Sequence, residues 1–153
     1  MTADRNISEE EQALLDQADS LTAQASGKWE LGRYPETQSL YQKALEIWQA
    51  ILPPDSPEIA SGLCNLANLY FAQAFYDKAA HLYRQSVSIG EKICGADDPW
   101  LAHPLHWLAE SYFANQEYDK AYEPYERVVS IREASLGADS REVADALMDL
   151  AHL

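Results

Sequence analysis

The sequence predicts an all-α fold of about seven helices paired into antiparallel hairpins, and three observations predict it. First, the stretch LANLYFAQAFYDKA (66–79) returns 42 residues later as Leu108-Ala109-Glu110-Ser111-Tyr112 and Tyr118-Asp119-Lys120-Ala121. A divergent copy lies one period earlier, around Ala25 and Tyr34-Pro35-Glu36-Thr37. Second, apolar residues recur at three- and four-residue spacing, and no segment alternates with period two for long enough to argue a strand. Third, short loops of Gly, Pro, Asp and Ser punctuate the chain at the same period. Self-similarity at a period of about 20–50 residues is the signature of a repeat array.

Each element has its own reason. Residues 1–7 are polar and are expected as a disordered tail. Ser8-Glu9-Glu10-Glu11 reads as a helix start, because Ser8 can accept from an orphan amide and Glu11 can reach back. Three acids there also suit the helix dipole. Leu14, Leu15, Ala18, Leu21 and Ala25 follow at helical spacing, and Gly27 and Gly32 weaken the end of a helix expected over 9–31. Tyr34-Pro35-Glu36 opens the second helix, with proline favoured in the first turn. Leu40, Tyr41, Ala44, Leu45, Ile47 and Trp48 give it an apolar face, and it ends near Pro53-Pro54. Ser56 and Pro57 then cap and open the third. The same punctuation recurs at Gly95-Ala96-Asp97-Asp98-Pro99 and Gly137-Ala138-Asp139-Ser140-Arg141. The expected spans are 9–31, 35–52, 57–74, 77–94, 99–116, 119–136 and 141–152. They make one array over 8–153, with repeats at 16–54, 57–96 and 99–138 and a terminal helix.

Aligned at the period, Leu63, Leu105 and Leu147 match. So do Leu66, Leu108 and Leu150; Ala67, Ala109 and Ala151; and Ala60, Ala102 and Ala144. In the second helices Tyr34, Tyr76 and Tyr118 match, as do Tyr41, Tyr83 and Tyr125, and Ile47, Ile89 and Ile131. Small residues at fixed sites let paired helices approach, and large ones in the next turn fill the space beside them.

Leu-Ala, then Tyr three residues on, then Tyr-Asp-Lys-Ala resembles the tetratricopeptide repeat. That repeat has a period of about 34 residues. The 42-residue period here makes each helix about one turn longer. With SIGEKICGADDP (88–99) and SIREASLGADSREVA (130–144), it resembles the kinesin-light-chain type. Tyr122-Glu123-Pro124-Tyr125 also resembles that type, whose second helix commonly carries an early proline. The first copy departs from the pattern at Lys28 and Thr37. The resemblance implies a right-handed superhelical solenoid in which the first helix of each repeat lines a concave groove for an extended peptide or a helix. The implied groove positions are Asp19, Thr22, Ser26 and Trp29; Ser61, Cys64, Asn68 and Phe71; His103, His106, Glu110 and Phe113; and Asp145, Met148 and His152. Trp29, Phe71 and Phe113 form one column, either an aromatic row along the groove or packing against the neighbouring repeat. Asn68 can both donate to and accept from a ligand backbone. No Lys or Arg falls in these columns, so the activity of relatives that clamp an acidic carboxyl terminus is not implied.

Charge bounds the partners. The 153 residues carry a net charge of −14, and no segment is basic. A nucleic-acid partner is therefore not expected, because phosphates need a basic stripe. An acidic surface serves solubility or attracts a basic partner. Met1 to Glu11 hold no apolar run that could serve as a secretion signal, and no stretch reaches the ~18 apolar residues a membrane span needs, so a cytoplasmic protein with no membrane partner is expected. Cys64 and Cys94 lack paired spacing and read as small apolar side chains.

His103, His106 and Glu110 are spaced so that all three point one way on a helix, a possible metal trio that Asp145 or His152 could join. Ordinary polar groove residues are the other account, and no cofactor is expected. No nucleophile–base pair with an oxyanion hole and no phosphate-cradling loop stands out, so the chain is not expected to be an enzyme. The leading expectation is a non-catalytic module binding a neutral or basic peptide or helix of a partner protein. The alternatives are self-association through helix 141–152, making a homo-oligomer, and metal binding at His103, His106 and Glu110.

Overall fold

The helix starts at Ser8 and Ser140 carry the side-chain caps that the sequence suggests. The computed structural model describes residues 6–153, and the part of the expected tail over residues 1–5 lies outside them. Among the described residues there are seven α-helices and no strand: α1 (Glu9–Glu30), α2 (Tyr34–Ile51), α3 (Pro57–Ala72), α4 (Tyr76–Cys94), α5 (Ala102–Ala114), α6 (Tyr118–Leu136) and α7 (Arg141–Ala151). The α1 start is a full capping box, in which Ser8 Oγ accepts from the Glu11 N–H at 3.1 Å and Glu11 Oε2 accepts from the Ser8 N–H at 2.9 Å. Ser140 caps α7 by accepting from the Val143 N–H at 3.2 Å. Ser56 holds the cap position of α3, but its side chain makes no cap bond to the helix amides. Gly27 does not end α1, which runs on to Glu30.

The fifth helix differs from its expected span. It opens as a 3₁₀ turn over Pro99–Leu101, with Asp98 accepting from the Trp100 N–H at 2.9 Å. Pro104 has no N–H to give the Trp100 carbonyl, so an α-helical first turn would lack that bond and the tighter winding replaces it. Pro124, by contrast, sits buried inside α6 without ending it.

The chain divides into two compact units, Met1–Pro54 and Asp55–Leu153. In the first, α1 packs on α2, and Ala18 and Ala25 are fully buried. In the second, α3 packs on α4, α4 on α5, α5 on α6 and α6 on α7. One core cluster joins Cys64, Ala67, Ala79, Ala80, Tyr83 and Leu108. Another joins Val87, Leu101, Leu105, Val128, Val129, Ile131 and Ala146. The matched leucines Leu63, Leu66, Leu105 and Leu108 are buried, whereas Leu147 on α7 is 45% exposed.

The period is visible in the backbone. Gly32, Ala74 and Gln116 close the three hairpins with φ of 70°, 61° and 62°. Gly95 and Gly137, at φ 89° and 85°, end α4 and α6. It is visible in side chains as well. Lys78 lies over the ring of Tyr70 at 5.3 Å, and Lys120 over Tyr112 at 5.7 Å. The first copy exchanges both partners and pairs Lys28 with Glu36 at 3.1 Å.

Candidate binding face

Each second helix sends a tyrosine hydroxyl to the first helix of its own hairpin. Tyr41 Oη lies 3.5 Å from Ser26 Oγ, Tyr83 Oη donates to Asn68 Oδ1, and Tyr125 Oη donates to Glu110 Oε1 at 2.5 Å. The three tyrosines are buried, so the polar residues they reach are held from behind. Tyr83 uses the carbonyl of Asn68 and leaves its amide donors for another partner. Ser26 also donates to the Thr22 carbonyl at 3.2 Å and Thr22 to the Ala18 carbonyl at 3.1 Å, so both hydroxyls are tied to their own helix.

The aromatic column is ordered in the same way. Trp29 meets Tyr34 at 6.0 Å, Phe71 meets Tyr76 at 5.2 Å and Phe113 meets Tyr118 at 5.4 Å, all edge to face. Phe71 also meets Trp107 of α5 at 5.0 Å. All three remain half-buried rather than enclosed, so the column packs and still presents an edge.

Cys64 departs from the expected groove position. It is 7% exposed and belongs to the core, because its helix turns it toward Tyr83 and Leu108. Burial pushes its thiol up to about 11, so it holds no useful thiolate at neutral pH. Ser61, His103, Asp145, Met148 and His152 are exposed. Elsewhere a cavity of about 190 Å³ opens beside Ala60, Gly90 and Trp100, and one of about 410 Å³ lies among α4, α5 and α6.

The expected metal trio is only partly assembled. Among the described residues, the group whose ligating atoms lie within 4.8 Å of one another is His106, Glu110 and Asp149. His103, Asp145 and His152 are not in it. Asp149 was missed because residues one period apart do not meet. In the second unit Trp107 and Asp149, one period apart, each turn toward the preceding first helix, so Trp107 reaches Phe71 and Asp149 reaches His106. A charge or an aromatic in a column otherwise beside leucine and alanine was the available signal. Burial lowers the His106 ring, favouring its neutral form, and it raises Asp149.

Models of the tetratricopeptide repeat match residues 16–92 and 105–142. No curated protein matches the chain closely enough to name a relative. Among solved structures, it is similar to a putative kinesin light chain with nearly identical TPR-like repeats from Podosopora anserina. The identity is 25% and the TM-score 0.78, over 90% of this chain and 65% of that one. BtubC (BKLC) from P. vanneervenii matches with 19% identity and a TM-score of 0.80, over 88% of this chain and 54% of that one. The first TPR of Spaghetti (RPAP3), bound to the HSP90 peptide SRMEEVD, matches with 18% identity and a TM-score of 0.66, over 90% of this chain and 92% of that one. The chain thus spans less than two thirds of the kinesin-light-chain-like structure's length. Its hairpin turns, tyrosine hydrogen bonds and ring pairs recur every 42 residues, and the chain belongs to the tetratricopeptide repeat family, in its kinesin-light-chain-like form.

Proposed function

We propose that this chain is a non-catalytic protein–protein interaction module that holds a neutral or basic peptide or helix of a partner protein on the face of its first helices. One observation carries the reading: Asn68, Phe71, Glu110 and Phe113 are half-exposed while buried or neighbouring tyrosines of the second helices fix them. A prearranged polar and aromatic surface loses little entropy on binding. Trp29 and Ser26 offer the same column in the first unit, with Thr22 beside them. Ser61 and His103 add exposed polar positions in the second.

Charge supports the choice of ligand. The peptide SRMEEVD bound to the Spaghetti repeat domain is acidic, whereas the columns here contain no Lys or Arg and include Glu110 beside Asp149. Titrating labelled neutral, basic and acidic peptides against the chain tests the reading. Neutral or basic peptides should bind, and Asn68→Ala should weaken them roughly tenfold without loss of helix content. Tight, salt-sensitive binding of acidic peptides alone would end it.

Self-association is the second reading. It is favoured by the exposure of Leu147 (45%) and Met148 (55%) on α7. A mass that rises with concentration in light scattering, and falls back in Met148→Glu, would support it over peptide capture.

A further inference from the structure

Between α5 and α7, one nitrogen and two carboxylates surround a common point. His106 and Glu110 stand one turn apart on α5, Asp149 comes from α7, and their ligating atoms lie within 4.8 Å of one another. His106 Nδ1 is buried and has no hydrogen-bond partner, although Asp149 Oδ2 is 3.5 Å away. That distance is long for a hydrogen bond. It matches the edge, about 3.4 Å, of a tetrahedron of ligands each held about 2.1 Å from a central ion. We propose that His106, Glu110 and Asp149 form a binding site for a divalent transition-metal ion of the zinc class, with water completing the coordination.

The surroundings suit that role. The His106 ring is held between Trp107 at 5.3 Å and Tyr125 at 6.2 Å. Tyr125 donates to one oxygen of Glu110 at 2.5 Å, which orients the carboxylate and leaves the other oxygen to face the ion. Two carboxylates share this half-buried space, and a dication relieves their repulsion. Arg132 contributes a positive charge nearby, but its guanidinium donates to the Glu142 carbonyl at 3.1 Å. An imidazole with two carboxylates selects zinc-class ions over calcium and magnesium, which prefer six or more oxygens or near-complete hydration. The site goes beyond the peptide reading and stands or falls without any peptide.

The test is calorimetric titration of zinc into the full chain after chelator treatment, with magnesium and calcium as comparisons. One zinc per chain is expected. Its affinity should fall at least tenfold in Asp149→Asn and in His106→Gln, hold in His103→Gln, and rise in Arg132→Gln as the competing charge is removed. Cobalt(II) should quench tryptophan fluorescence through Trp107, and both ligand variants should lose that quenching. Circular dichroism checks folding; if His106→Gln unfolds, Asp149→Asn at its half-exposed position decides. No heat with zinc would overturn the proposal. So would zinc binding that persists in both ligand variants, which would place the ion on exposed groups such as Cys94 or His81. Tighter calcium than zinc binding would overturn the assignment of ion class.

Discussion

Ala74 and Gln116 adopt the left-handed backbone that the first hairpin gives to Gly32, with φ of 61° and 62°. An L-residue there costs about 1–2 kcal/mol, partly offset by the smaller chain entropy it loses on folding. Ala74→Gly and Gln116→Gly should therefore each stabilise the chain by roughly 0.5–1 kcal/mol in urea unfolding. Gly95 and Gly137 combine positive φ with ψ of 163° and 151°, a region open essentially to glycine alone. Gly95→Ala should cost about 1–3 kcal/mol by the same measurement. The two cysteines differ in their reach. A thiol reagent should modify one thiol in the native chain, the exposed Cys94, and two after unfolding, because Cys64 is buried with its pKa pushed up to about 11. Two fast thiols in the native state would show that Cys64 is reachable from solvent.

At the scale of the helix pair, the tyrosine bonds and the lysine pairs act as hairpin fasteners. Tyr83 is fully buried and donates its hydroxyl to Asn68. Tyr83→Phe should cost about 0.5–1.5 kcal/mol, the net worth of one such bond, in chemical denaturation. The Lys28–Glu36 ion pair stands where the later copies place Tyr70 with Lys78 and Tyr112 with Lys120. Lys28→Tyr and Glu36→Lys should each lower the melting temperature, and the double substitution should recover part of the loss by restoring the ring–cation pair. Additive losses would mean that the two positions do not communicate. The lysine pairs were not legible in the sequence, but the tyrosines were, since the matched columns already named Tyr41, Tyr83 and Tyr125. Their polar partners were not legible, because a hydroxyl's target depends on which face of the first helix lies opposite.

For the molecule as a whole, the net charge of −14 sets the binding prediction. Association with a basic peptide should weaken steadily as salt rises, mainly through a slower on-rate, while a neutral peptide should show little change. Stopped-flow titration at two ionic strengths separates these outcomes. Stability follows from stacking in the second unit, where Leu108 of α5 joins a cluster with Tyr83 and Ala80 of α4. Leu108→Ala should cost about 2–5 kcal/mol in thermal unfolding, since it removes contacts between two hairpins at once.

By itself the sequence determined the period, the helices and the caps at Ser8 and Ser140, and hence the family. These depend on local spacing and cap chemistry, which act within a few residues of each other. It could not determine which side chains meet between successive first helices. His106 meets Asp149 rather than Asp145 or His152, and Cys64 turns into the core. Those meetings depend on the offset between neighbouring hairpins, which packing sets and no residue spacing encodes. The face on which a partner would lie and the point at which an ion would sit are therefore properties of the stack, while the hairpins that build it are properties of the chain.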